Sequence, residues 1–129
     1  MSGDSTFERF KLNTLIEEPS PRMRSFLEHA PGETADHFVS LLQEIDQAGV
    51  LEYKVKAILR VCACMILDHE HGVRAWSQAA LRSGATKGEI IDAMYTLIPQ
   101  VGAIPIIRML PEVLELEDSD PHDDAPLQA

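Results

Sequence analysis

From Glu52 to Leu67 the chain is apolar on most sides of a helix. A helix of that kind has to be enclosed by others, so this run predicts the centre of a helical fold. Val55, Ile58, Leu59, Cys62 and Ile66 predict its inward stripe, and Val61 and Met65 widen it. The preceding segment repeats the pattern: Phe38, Leu41, Leu42 and Ile45 follow the i, i+3, i+4, i+7 spacing of one buried face.

Local signals mark the other helices. Ser20-Pro21 reads as an N-cap followed by proline at the first helical position, opening a short helix to about His29 that buries Met23, Phe26 and Leu27. Thr34 reads as the next cap, and Gly49 as the stop of that helix. A fourth helix carries Val73, Trp76, Ala79, Ala80 and Leu81 to Gly84. Thr86-Lys87-Gly88-Glu89 has the form of a capping box opening a fifth helix, which stops before Pro99. Pro105 starts a last helix through Ile106, Ile107, Leu110, Val113 and Leu114, and Pro111 inside it predicts a kink or two short pieces. No strand-like alternation of useful length occurs, so the expected fold is all-α with about six helices.

At 129 residues the chain reads as one domain, spanning 20–116. Residues 1–19 form a segment of low order on its own, although Phe7, Phe10 and Leu12 could pack on a neighbour or a second subunit. Residues 117–129 read as an acidic disordered tail. A net charge of −10 disfavours nucleic acid and anionic membrane surfaces as partners. No apolar run reaches the roughly 20 residues of a spanning helix, and a cytoplasmic protein is the default expectation. Cys62 and Cys64 point about 200° apart on a helix, so a mutual disulfide is geometrically poor and two buried small hydrophobes are the plainer reading.

Leu51-Glu52-Tyr53-Lys54-Val55-Lys56 before an apolar helix, the block Ala79-Ala80-Leu81-Arg82-Ser83-Gly84-Ala85-Thr86-Lys87-Gly88-Glu89-Ile90, and Gln100-Val101-Gly102-Ala103-Ile104-Pro105 stand in that order. Together they resemble the carboxymuconolactone decarboxylase and alkylhydroperoxidase D-like family over roughly residues 22 to 116. The resemblance implies an all-helical subunit assembled into trimers or hexamers, with a small cleft at the start of the fourth helix. Redox members of that family carry E-x11-C-x2-C-x3-H before the A-G block. Counted back from Gly84, those positions fall on Ala57, His69, Gly72 and Trp76, so every redox position is changed. The decarboxylase branch keeps a carboxylate and a histidine where this chain has Gly72 and Trp76.

The stretch Asp68-His69-Glu70-His71-Gly72-Val73-Arg74-Ala75-Trp76 therefore holds the candidates. His69 and His71 are the candidate general acid/base groups, because imidazole titrates near neutral pH and His69 falls on the position of the family's reactive thiol. Trp76 either fills core or forms a wall that stacks on a planar ligand. Arg74 either carries an exposed charge or anchors a substrate carboxylate, and Glu70 complements the helix N-terminus or meets a ligand. His69-x-His71 lacks a zinc-site spacing, so no metal and no cofactor are expected. The expected function is a non-redox, lyase-like enzyme or binder acting on a small organic acid or lactone. The alternatives are a peroxiredoxin-like oxidoreductase with its thiols relocated to Cys62 and Cys64, and a catalytically silent oligomer.

Overall fold

The computed structural model describes residues 3–117. Among them are eight helices and no strand: α1 (Gly3–Thr14), α2 (Pro21–His29), α3 (Thr34–Gln47), α4 (Tyr53–Ile66), α5 (Glu70–Arg82), α6 (Lys87–Thr96), α7 (Ile98–Val101) and α8 (Ile104–Leu114). The all-α expectation holds, with two more helices than the six expected. One addition is α1, in the segment expected to lack order. The other is α7, a single turn that Pro99 starts rather than merely ending the helix before it. The chain forms two compact units, one ending at Leu51 and one beginning at Glu52. Most of the expected acidic tail, residues 118–129, lies outside the described residues.

In the first unit, α1 is ordered by α3. Phe7 and Phe10 are buried, and Thr14 donates its hydroxyl to the Phe10 carbonyl at 2.8 Å. The Arg9 guanidinium reaches Asp36, Ser40 (2.9 Å) and Gln43 (3.0 Å), and the Asn13 amide donates to Asp46 at 2.8 Å. These contacts decide which face of α3 turns inward. Asp36, Gln43 and Asp46 lie at helical spacing toward α1, with Val39 fully buried among them. The apolar face expected to be buried is only partly so: Leu41 is 58% and Ile45 47% exposed, while Phe38 and Leu42 are half-buried. Ser20 caps α2 as expected, accepting from the Met23 N–H at 3.1 Å. Phe26 is half exposed rather than buried and meets Phe38 edge-on, with ring centres 5.0 Å apart. Thr34 is the first residue of α3 and not its cap; Glu33 holds the cap position.

In the second unit, α4 and α5 make the most extensive pairing. Ala57, Val61, Cys62 and Met65 are the buried positions of α4, while Leu59 and Ile66 of the expected stripe are half exposed. The close approach comes from small residues: Ala57 on α4 and Ala79 and Ala80 on α5 are fully buried. The capping box opens α6 as read, with Thr86 accepting from the Glu89 N–H at 3.0 Å and the Glu89 carboxylate accepting from the Thr86 N–H at 2.9 Å. Gly84, at φ +106°, makes the turn before it in a conformation that side chains disfavour. Pro111 does not divide α8. The carbonyl it leaves without a donor is that of Ile107, on the exposed side of the helix where water can serve it. Among the described residues no helix is long and apolar enough to cross a membrane.

Candidate functional site

The turn from α4 to α5 places the candidates. Asp68 adopts a left-handed backbone, φ +59°, and its N–H donates to the Met65 carbonyl at 3.1 Å. The His69 N–H donates to the Cys64 carbonyl at 2.8 Å. This is the double hydrogen bond of a Schellman end, with aspartate where glycine is usual. It reverses the chain within two residues and makes His69 the N-cap of α5.

His69 spends its side chain on that cap. Its Nδ1 accepts from the Gly72 N–H at 3.0 Å, satisfying one of the orphan donors of the first turn. A β-carbon on Gly72 would stand 2.3 Å from that Nδ1 and 2.6 Å from the Cys64 Sγ. Glycine is therefore required by close approach, and the imidazole and the Cys64 thiol are neighbours. His69 is thus divided from the other candidates: it faces back toward α4.

Glu70 and His71, the two residues after that cap, and Arg74 about a turn later come together with Glu112 of α8 around an open cleft of about 180 Å³. Arg74 donates from Nε and Nη2 to Glu112 Oε1, at 3.1 and 2.5 Å, and lies 3.7 Å from Glu115. Glu112 is the member that sequence reasoning missed. It is 8% exposed, an acid on the inner half of a helix. The signal was there, since Glu112 interrupts the apolar pattern of α8 and needs a partner to be buried. The sequence could not say that the partner would be Arg74, 38 residues away.

Glu70 completes the cleft, which Glu112 also lines. Hydrogen bonding with Glu112, and then repulsion from its charge, raise the Glu70 pKa above the ordinary glutamate value; Arg74 opposes the shift. His71 is exposed at the rim.

Comparison with family models, curated proteins and solved structures returns no match.

The remaining candidates sit elsewhere in the second unit. Trp76 is half-buried and does not line the cleft; the Arg60 guanidinium stacks 4.8 Å from its ring centre. Cys62 is buried and Cys64 half-buried, and burial pushes both thiols up. Among the described residues, no group of three or more His, Cys, Asp or Glu stands where it would hold a metal ion. The expected Arg74 anchor for a substrate carboxylate meets a guanidinium already engaged by Glu112 and Glu115.

Proposed function

We propose that this chain is a non-redox protein on a carboxymuconolactone decarboxylase-like, alkylhydroperoxidase D-like helical scaffold, self-associating as a trimer or hexamer. Its cleft acts by general acid/base chemistry on a small lactone or related carbonyl compound. Glu70 is the acid, its pKa raised by the neighbouring Glu112. His71 is the base, since an imidazole can accept a proton near neutral pH. Arg74 holds Glu112 in place and is a positioning residue. With Arg74 engaged, a neutral carbonyl compound suits the cleft better than a free carboxylate.

The observation that carries this reading is the convergence of Glu70, the exposed His71 imidazole and the buried, Arg74-paired Glu112 on one cleft. Two titratable groups in one cleft, one biased toward holding a proton and one able to take it, are the minimum for acid/base catalysis. The test is a thermal-shift and turnover screen of small lactones against the wild type, Glu70→Gln and His71→Ala. A lactone that raises the melting temperature and is consumed by the wild type, with consumption lost in both variants, supports the proposal. Consumption that survives both substitutions rules it out.

A thiol reading is favoured by one observation, the Cys64 thiol beside the His69 ring. Against it, burial disfavours the thiolate that would have to attack, and the His69 Nδ1 is occupied by its cap.

A further inference from the structure

The charges around the cleft do not balance. One guanidinium, that of Arg74, serves three carboxyl groups: it bonds Glu112, stands 3.7 Å from Glu115 and shares the wall of the cleft with Glu70. Arg108, the other cation of α8, is drawn instead to Asp68 at 3.5 Å. His71 completes the wall, and even a protonated imidazole there would leave positive charge in deficit. The deficit falls on one atom in particular. Glu112 is buried, so water does little to solvate its carboxylate. Both hydrogen bonds from Arg74 end on Oε1 of that carboxylate. Its Oε2 gains no guanidinium donor, although each carboxylate oxygen can accept about two hydrogen bonds.

We propose that the substrate of this cleft carries a positive charge: a small lactone or related carbonyl compound bearing an ammonium group, with Glu112 Oε2 as the counter-ion. The inference rests on the acid/base reading of the cleft and narrows its substrate class, ranking cationic compounds above neutral ones and neutral ones above anions. An ammonium brings three donors and one charge to a buried oxygen that lacks both. Its hydrogen bond to a carboxylate is charge-assisted on each side, roughly twice as strong as a neutral one. Glu115, exposed beside Arg74, adds to the field that draws a cation toward the open mouth. Size points the same way. A cleft of about 180 Å³ falls below the roughly 300 Å³ at which pockets for drug-sized ligands begin, and it suits a five-membered ring with one substituent. The substrate's charge also offsets the Glu112 charge that repels ionised Glu70, so its arrival makes Glu70 the stronger acid.

Calorimetric titration of the full chain with three lactones of similar size tests the proposal. The probes are α-amino-γ-butyrolactone, neutral γ-butyrolactone and the γ-carboxylate of γ-butyrolactone, at about pH 6, below the range of an α-amino group. The wild type should bind the aminolactone at least ~10-fold more tightly than the neutral ring, and the carboxylate most weakly. Glu112→Gln should bring the cationic and neutral probes within about 3-fold of each other. Should that variant fold poorly, added salt provides the second measurement, since the preference of the wild type should shrink as salt screens the open cleft. Equal binding of the cationic and neutral probes would overturn the proposal. So would a preference that survives Glu112→Gln, or one that salt leaves unchanged. Consumption is read separately. Glu70→Gln should keep the preference for the aminolactone while losing turnover. A wild type that shows the preference but consumes none of the probes would refute the acid/base reading and leave the charge class standing. Consumption of all three without preference would do the reverse, and binding of none would overturn both.

Discussion

Arg74 places two donors on one oxygen of Glu112, Nε at 3.1 Å and Nη2 at 2.5 Å from Oε1. The pair links α5 to α8 and sets the floor of the cleft. The Glu112 side chain is 11% exposed, so the guanidinium is what makes its burial tolerable, while the Arg74 side chain is 47% exposed and needs the pair less. Arg74→Ala should therefore destabilise the protein by about 1–3 kcal/mol, below the cost of breaking a fully buried pair. Arg74→Ala with Glu112→Gln should recover part of the loss, because no charge is then stranded. Denaturant titration of the three proteins checks this. Equal stability of wild type and Arg74→Ala would show that water already serves Glu112.

The raised Glu70 pKa has a definite consequence for stability. A group that binds its proton more tightly folded than unfolded stabilises the fold most below its unfolded value, and that stabilisation is lost as pH rises through the folded value. Above that point the two carboxylates repel. Glu70→Gln keeps a donor toward Glu112 and removes the repulsion. Its melting temperature should exceed that of wild type slightly at neutral pH, a small effect because Glu70 is exposed and screened. The difference should vanish as pH falls to the ordinary glutamate value. A difference that grows on acidification would have the wrong sign.

Gly72→Ala should be costly for a reason local to the turn. The added methyl would lie 2.3 Å from His69 Nδ1 and 2.6 Å from Cys64 Sγ, so the ring must leave its cap or the thiol must shift. Overpacking and a lost cap together predict about 1–3 kcal/mol by denaturant titration. Cys64→Ala combined with Gly72→Ala should be more stable than Gly72→Ala alone. Equal stability of the two would place the strain on the ring only.

The thiols should react slowly. Burial raises both, and Cys62 is buried whereas Cys64 is half-buried. Titration with a thiol reagent at neutral pH should show Cys64 modified before Cys62, and both at least ~10-fold more slowly than after unfolding. Rapid modification in the native state would revive the thiol reading.

The helix-end chemistry was legible in the sequence. The Ser20 cap and the Thr86–Glu89 capping box depend on neighbours a few residues apart, and both formed as read. The turn at Asp68 was not legible, because aspartate takes a left-handed conformation normally announced by glycine. The inward face of α3 was misread because hydrophobicity was taken as the measure of burial, whereas Arg9 and Asn13 draw Asp36, Gln43 and Asp46 inward. Of the site, Glu70, His71 and Arg74 were found by their closeness along the chain. Glu112 was out of reach for the opposite reason. His69 and His71 looked equivalent in sequence, yet His69 is itself the cap and turns back toward α4, while His71, two residues on, stands at the cleft rim.

Carboxyl-resolved NMR titration of Glu70, in the wild type and in Glu112→Gln, tests the acid/base account most directly. The account predicts a Glu70 midpoint above the ordinary glutamate value in the wild type, falling to or below it in Glu112→Gln, where the repulsion is gone and an amide can donate to the carboxylate. A Glu70 that titrates at the ordinary value in both proteins would contradict it.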